Sequence, residues 1–350
     1  MSRGVATAMA SSGALLWGTL GPVVSAWSTL GSAENAFARS LVAALTLGFV
    51  ARGAVAGWVQ VRAHYRSLLA GGVGLAGFQF AYFAAVAESG VAVSTVIGIG
   101  LAPAMTGAVS WITSGRPSRT WMAGTALASA GLVLLVLGAA PGGTVSAAGI
   151  GWSVLAAAFF SMQALAIESV GAEWSNSAVL AWMFLTAAIL MAPIGGAALL
   201  RGGAFGVDDL WVLAYLGVVT AGLAYWLFAA GIAVLGAATA VTISLLEPVG
   251  AVVLSVLFLG EGQSPVQWLG TVLLIACVPV MASAPKTEPG VPATLEPSPM
   301  RRSLPAAGPG QLPNIAEPIH QCRRTAIADA ATGADRSSQS RRAPRGSAKG

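Results

Sequence analysis

Ser244-Leu245-Leu246-Glu247-Pro248-Val249-Gly250, followed by an uncharged run to Gly260-Glu261, decides the fold of this chain. It sets a carboxylate and a proline side by side inside a long apolar segment. In a helix that crosses a bilayer, an acid near the centre costs roughly 2.5–3.5 kcal/mol on insertion scales. Pro248 lacks a backbone donor and frees the carbonyl one turn back, at Ser244. A segment that carries both costs is expected to line a polar path.

The surrounding chain fits that setting. Its 350 residues are 56% hydrophobic and 9% charged, against about 25% charged in soluble domains, and its mean hydropathy is +0.76. Apolar runs of about 20 residues, the bilayer-spanning length, follow one another with short breaks. The fold class is therefore an all-α integral membrane bundle. Ten transmembrane helices are expected at 5–27, 34–51, 66–88, 91–113, 120–140, 148–168, 177–200, 209–231, 235–259 and 265–284. Arg3 and the apolar run from Val5 resemble a signal peptide. That run is long, contains Trp17-Gly18 and precedes many more spans, so it is expected to remain as the first helix. Residues 285–350, rich in Pro, Ser, Ala and Arg without apolar periodicity, are expected to form a disordered basic tail.

Charge is unevenly placed. Before Ala284, eight Arg and eight acidic residues cancel, so the net +5 belongs to the tail. No Lys precedes Lys286, which removes any phosphate-binding loop of the GK[ST] type from the spans. No nucleic-acid partner and no cofactor are expected. Cys277 and Cys322 make neither a disulfide framework nor a metal-ligand spacing. The spans hold no His and one Cys, without the convergent acid/base or metal cluster that an enzyme needs.

Orientation follows from the arginines in short loops. With the N-terminus in the cytoplasm, that side holds Arg3, Arg52, Arg62, Arg66, Arg116 and Arg119, and the outside holds Arg201. Ten spans return the tail to the cytoplasm. The expectation is a multi-pass protein of the plasma (inner) membrane with both termini cytoplasmic.

An internal repeat is legible at a shift of 145 residues, which places Pro103 on Pro248 and Phe83-Ala84-Ala85 on Phe228-Ala229-Ala230. The same register pairs Val96 with Val241, Leu101 with Leu246, Ser110 with Ser255 and Gly115 with Gly260. Five helices per copy is an odd number, so the second copy runs inverted relative to the first. Inverted repeats are an architecture of secondary transporters, with the substrate site near the midplane between the halves.

Together these residues resemble the drug/metabolite transporter superfamily, specifically its ten-helix EamA-type exporters. Leu16-Trp17-Gly18-Thr19 is similar to that family's opening Trp-Gly. Leu246-Glu247-Pro248-Val249 through Gly260-Glu261, followed by Trp268 and Gly270, is similar to the end of its second half. The first half ends comparably, with Pro103, Gly115, Trp121 and Gly124. It departs from the family in carrying Arg116 after Gly115 and Ala102 before Pro103, so symmetric carboxylates are not expected. The resemblance covers about residues 5–284. It implies a first EamA-like repeat over 5–140, a second over 148–284, and transport of a small-molecule substrate across the lipid bilayer. Oligomeric state stays open.

Candidate substrate-binding residues are the polar and amphipathic groups within the spans. Glu247 is either a proton site, allowing proton coupling, or the counter-charge for an amine; the plain alternative is a carboxyl bonded to a free carbonyl near the proline. Arg39, about one and a half turns into the second span, either snorkels to headgroups or clamps a substrate carboxylate. Trp17 and Trp226 are candidate cavity walls that could stack on a cation. Gln79, Tyr82, Gln163, Tyr225, Thr239 and Thr242 lie at suitable depth. Pro103 and Pro248 are candidate hinges, or static kinks of the kind membranes tolerate. The glycine run Gly71-Gly72-Val73-Gly74 with Gly77 reads as helix packing.

The expected function is a secondary active transporter, an exporter of amino-acid-like or amphipathic metabolites working by alternating access. A nucleotide-sugar or phosphate-ester carrier of the same superfamily would need more cationic partners for several phosphate charges. A non-transporting sensor or structural membrane protein, with the tail binding anionic lipid, is the other alternative. The topology makes one prediction. In intact cells an impermeant maleimide leaves Cys322 unlabelled and labels it after permeabilisation; labelling of intact cells would invert the orientation.

Overall fold

The computed structural model describes residues 1–138, 146–201, 206–258 and 262–285, all within one compact unit, Met1–Gly290. Gly260-Glu261, Cys322 and the tail from Lys286 lie outside the described residues. Among the described residues the secondary structure is entirely helical. α1 (Arg3–Gly18) begins at Ser2, whose Oγ accepts the Val5 N–H, and Thr19 separates it from α2 (Leu20–Trp27). α3 (Ser32–Ala51) and a short 3-10 turn lead to α4 (Trp58–Gly98), whose path is broken where Gly90 adopts φ 75°, ψ 166°. α5 (Ala102–Ser114) and α6 (Arg119–Gly138) follow. Next come α7 (Ala147–Val170), α8 (Asn176–Met191), α9 (Ala197–Arg201) and α10 (Val207–Tyr215). α11 (Ala224–Leu235), α12 (Ala237–Ile243), α13 (Glu247–Phe258) and α14 (Pro265–Ser283) complete the set. π-helical turns at Ala192–Gly196 and Leu216–Leu223 join α8 to α9 and α10 to α11.

Eight segments among the described residues are long and apolar enough to cross a membrane. One of them, Trp58–Ser114, runs 57 residues, far beyond the roughly 20 that one crossing needs, and contains the break at Gly90. The stretch Arg3–Trp27 is outside the eight because Thr19 interrupts it.

The two prolines open their helices in the same way. Residues 99–101 form a distorted turn between α4 and α5, and the Ala102 N–H bonds the Ile99 carbonyl at 3.3 Å just before Pro103. Ser244–Leu246 likewise form a 3-10 turn, and the Glu247 N–H bonds the Ser244 carbonyl just before Pro248. Each proline therefore sits in the first turn of a new helix, where its missing N–H has no helical partner to lose. The carbonyl cost expected at Ser244 is not incurred, because the residue before the proline takes up that bond.

Many helix contacts are made by small residues. Ala10, Ala14, Ala43, Ala157, Ala224 and Ala240 are fully buried, alongside larger side chains such as Phe184, Phe228 and Leu180, whereas Leu45, Phe49, Ile112, Leu200 and Leu257 face outward. Small residues let helices approach closely where burial of apolar surface gives no preference for the interior. The glycine run of α4 does this work: Gly71 meets Met183, Gly72 meets Thr186, and Gly74 meets the Phe159 carbonyl. Gly131 and Gly270 bring α6 and α14 together in the same manner.

The closest approach joins the two motif stretches. A Cβ on Gly18 would fall on the Glu247 carbonyl and within 2.9 Å of Gly250 Cα, and one on Gly250 would fall on the Leu15 carbonyl. α1 and α13 thus touch backbone to backbone beside Trp17 and Glu247.

Hydrogen bonds sort the connections between two ends. At one end Arg3 bonds the carbonyls of Ala282 and Ala284, Trp174 Nε1 bonds the Ala54 carbonyl at 2.9 Å, and His64 pairs with Glu173 at 3.2 Å. At the other end the Ser146 N–H bonds Ser89 Oγ at 3.0 Å and Ser264 Oγ bonds the Gly138 carbonyl at 3.0 Å. Asp209, fully buried, holds the α2–α3 connection there by accepting from the Thr29 N–H at 2.8 Å and the Thr29 hydroxyl at 2.7 Å.

Gly18→Val is expected to lower the melting temperature of the purified protein by more than 5 °C, an overpacking cost of roughly 1–3 kcal/mol or more. Gly21→Ala, which meets nothing within 4 Å, is expected to leave it unchanged or slightly higher. Equal melting temperatures for Gly18→Val and the parent would show that the α1–α13 contact is dispensable.

Candidate functional site

Trp17, Leu20, Arg39, Phe78, Ile99, Phe160, Tyr225 and Glu247 line a cavity of about 40 Å³ inside the bundle. Interruptions of the helices surround it. Trp17 is the penultimate residue of α1, two before Thr19, Ile99 lies in the turn that precedes Pro103, and Tyr225 follows the π-helical turn Leu216–Leu223. Glu247 is the first residue of α13. A helix N-terminus presents unbonded N–H groups and the positive end of the dipole, which favours negative charge at that position.

Arg39 reaches the cavity from α3 and is half-buried, as is Glu247. The two are close enough to interact electrostatically, yet they form no direct ion pair. Three polar atoms in and beside this wall are buried without a hydrogen-bond partner: Arg39 Nε, Trp17 Nε1 and Gln163 Oε1. Buried polar groups are almost always bonded, and an unbonded cluster marks a place built for water, an ion or a ligand. The arrangement offers a guanidinium, a carboxyl, two spare donors and one spare acceptor in and beside one small space.

The remaining wall is aromatic. Trp17 lies 4.7 Å from Tyr225, 5.0 Å from Phe228 and 6.2 Å from Phe160, centroid to centroid. Phe78 continues the cluster, 5.3 Å from Phe160 and stacked on Tyr82 at 5.7 Å. Tyr225 is held by Gln163, whose Nε2 donates to its hydroxyl at 3.5 Å, and by edge-on packing against Phe184.

Of the residues selected from sequence, Glu247, Arg39, Trp17 and Tyr225 line this cavity, and Gln163 supports it through Tyr225. Tyr82 stands one ring behind, sharing a 2.7 Å hydrogen bond with Thr95. The others lie elsewhere. Gln79 turns to the Leu75 carbonyl at 3.3 Å and Met191 Sδ at 3.6 Å. Trp226 is 37% exposed on the outer surface. Thr242 bonds Thr125 at 3.1 Å, and Thr239 lines a separate small cavity with Glu168 and Trp121. Pro103 and Pro248 are not among the lining residues; they sit in the first turns of α5 and α13, Pro248 directly after Glu247. Snorkelling does not describe Arg39, which points inward. Sequence reasoning missed Leu20, Phe78, Ile99 and Phe160, since an apolar residue in an apolar helix carries no mark of the face it serves.

A helical bundle with eight described segments long and apolar enough to cross a membrane, and two ionisable groups facing an internal cavity, has the makeup of an integral membrane protein. The EamA-like transporter family model matches residues 147–282. A Bacillus subtilis (strain 168) protein named as the uncharacterized transporter YwfM is 31% identical over 291 residues, covering 79% of this chain and 93% of that protein. In fold, the chain is similar to a crystal structure of a protein of 22% identity, with a TM-score of 0.67 over 80% of this chain and 96% of that one. The chain belongs to the EamA-like transporters of the drug/metabolite transporter superfamily, and is a multi-pass membrane protein.

Proposed function

We propose that the protein is a secondary active transporter that exports small metabolites carrying both an amine and a carboxylate on an apolar body, such as hydrophobic amino acids. The observation that carries this reading is the pair of unjoined ionisable groups, the Glu247 carboxyl and the Arg39 guanidinium, facing one aromatic cavity. Glu247 receives the ammonium group, Arg39 the carboxylate, and Trp17, Phe78, Phe160 and Tyr225 the side chain. Cation–π attraction to the rings adds to the ammonium side, and a guanidinium suits a planar carboxylate through paired N–H donors.

At about 40 Å³ the cavity has room for a water or two and not for a metabolite. Transport therefore proceeds by alternating access, with helix movement opening the cavity to one side at a time. The interruptions before Pro103 and Pro248 are the joints in this reading. Their correspondence, residues 99–101 and 244–246 at the 145-residue shift, supports two inverted five-helix repeats over 5–140 and 148–284. The positive-φ glycines Gly90 and Gly236, each ahead of one of the proline helices, support it too. Counting Trp58–Ser114 as two crossings and adding Arg3–Trp27 makes ten. The end holding Arg3, Arg62, Arg66 and Arg116 faces the cytoplasm of a plasma (inner) membrane by the loop-charge rule. Proton coupling assigns a second duty to Glu247, which releases a proton when the ammonium group arrives.

The test is efflux of a labelled amino-acid panel from cells with and without the protein, repeated after collapse of the proton gradient. A hydrophobic amino acid is expected to leave faster from expressing cells, and Glu247→Gln to abolish the difference while inserting normally. Undiminished export by Glu247→Gln would remove Glu247 from the mechanism; a flux that survives collapse of the gradient would remove the coupling.

A further inference from the structure

Arg116 stands where the resemblance leads one to expect an acid, and the cavity of the proposed transport cycle makes no use of it. It opens the connection from α5 to α6, with Arg119 one turn further on, and both arginines are exposed. This connection lies beside Glu168, near the end where His64 pairs with Glu173. Between α5 and α6 an open groove of about 760 Å³ runs from these two arginines along Ala104, Ala108, Met122 and Ala126. Its size is that of a ligand site, about 300–1,000 Å³.

The groove has a charged mouth and an apolar length. Neither arginine has an ion-pair partner among the described residues, and no acid lines the groove. The Arg116 guanidinium lies over the Trp111 ring at 5.9 Å, which holds it at the rim. Trp121, seated on Gly107, closes the wall and keeps a buried indole N–H without a partner. Ala104, Ala108 and Ala126 are exposed and small, leaving a channel on the face that meets hydrocarbon. A second copy of this chain meeting it groove to groove would set arginine against arginine, since no acid lines the groove. A soluble anion would use the mouth and leave the channel unfilled.

We propose that this groove binds an anionic phospholipid of the surrounding bilayer, its phosphate on Arg116 and Arg119 and one acyl chain along Ala104, Ala108 and Met122. The site rests on the membrane assignment and on the orientation given by the loop charges, and not on the transport reading. α5 opens at Pro103, so the lipid grips a helix that begins at the rim of the cavity. Basic pockets between spans on the cytoplasmic side are the places where anionic headgroups bind.

The test titrates the full-length protein in neutral detergent with dioleoylphosphatidylglycerol, with dioleoylphosphatidylcholine, and with glycerol 3-phosphate, reading the melting temperature. The anionic lipid is expected to raise it saturably and the other two to leave it in place. Arg116→Gln with Arg119→Gln should weaken the response about 30-fold, from about 1 kcal/mol per arginine, while the lipid-free melting temperature stays unchanged. Ala108→Trp, which fills the channel, should weaken it with both arginines intact, and Arg62→Gln should leave it as in the parent. An equal rise with phosphatidylcholine, a rise with glycerol 3-phosphate alone, insensitivity to Ala108→Trp, or an equal loss in Arg62→Gln would each overturn the proposal.

Discussion

The contact of α1 with α13 at Gly18 and Gly250 is the constraint from which the rest of the interior follows. Without a Cβ on either residue the two backbones meet directly, and that meeting fixes Trp17 next to the start of α13. Glu247 then projects from a helix N-terminus into the space left by the interruption of α1 at Thr19. Arg39 across the cavity offsets part of the cost of a carboxylate in hydrocarbon. Neither motif stretch makes the site alone.

Interrupted helices surround the cavity. Irregular backbone is tolerated at membrane depth only where it is buried in protein or lines a wet space. Here the breaks at Thr19, at residues 99–101, at Leu216–Leu223 and at Ser244–Leu246 converge on one region. The aromatic rings around them exclude hydrocarbon and leave one small space between Arg39 and Glu247. In the proposed cycle this is the occluded condition, and the first-turn prolines make the joints about which α5 and α13 move.

Much of this was legible in the chain, for identifiable reasons. Charges are so rare in the spans that Glu247 and Arg39 stood out at once, and a Trp-Gly or Glu-Pro pair is conspicuous in an Ala-, Leu- and Val-rich background. Positions such as Phe78 and Phe160 were not legible, because every face of these helices is apolar and no periodicity separates the cavity from the lipid. The same lack of contrast placed Trp226 beside Tyr225 as equal candidates, though one helical step of about 100° sends Tyr225 inward and Trp226 out. Asp209 is buried through bonds to Ser28 and Thr29, about 180 residues away in the chain, which no local pattern announces. Pro248 appeared to cost a hydrogen bond only because the 3-10 turn before it has no sequence signature.

The most direct measurement is the quenching of tryptophan fluorescence in the purified protein by phenylalanine, by phenethylamine and by phenylpropionate, which share a ring and differ in their charges. Opposed, unjoined charges predict that phenylalanine binds at least tenfold more tightly than either partner, and that Arg39→Gln erases its advantage over the amine while Glu247→Gln erases its advantage over the acid. Equal affinity for all three in the parent protein would contradict a cavity that reads a zwitterion.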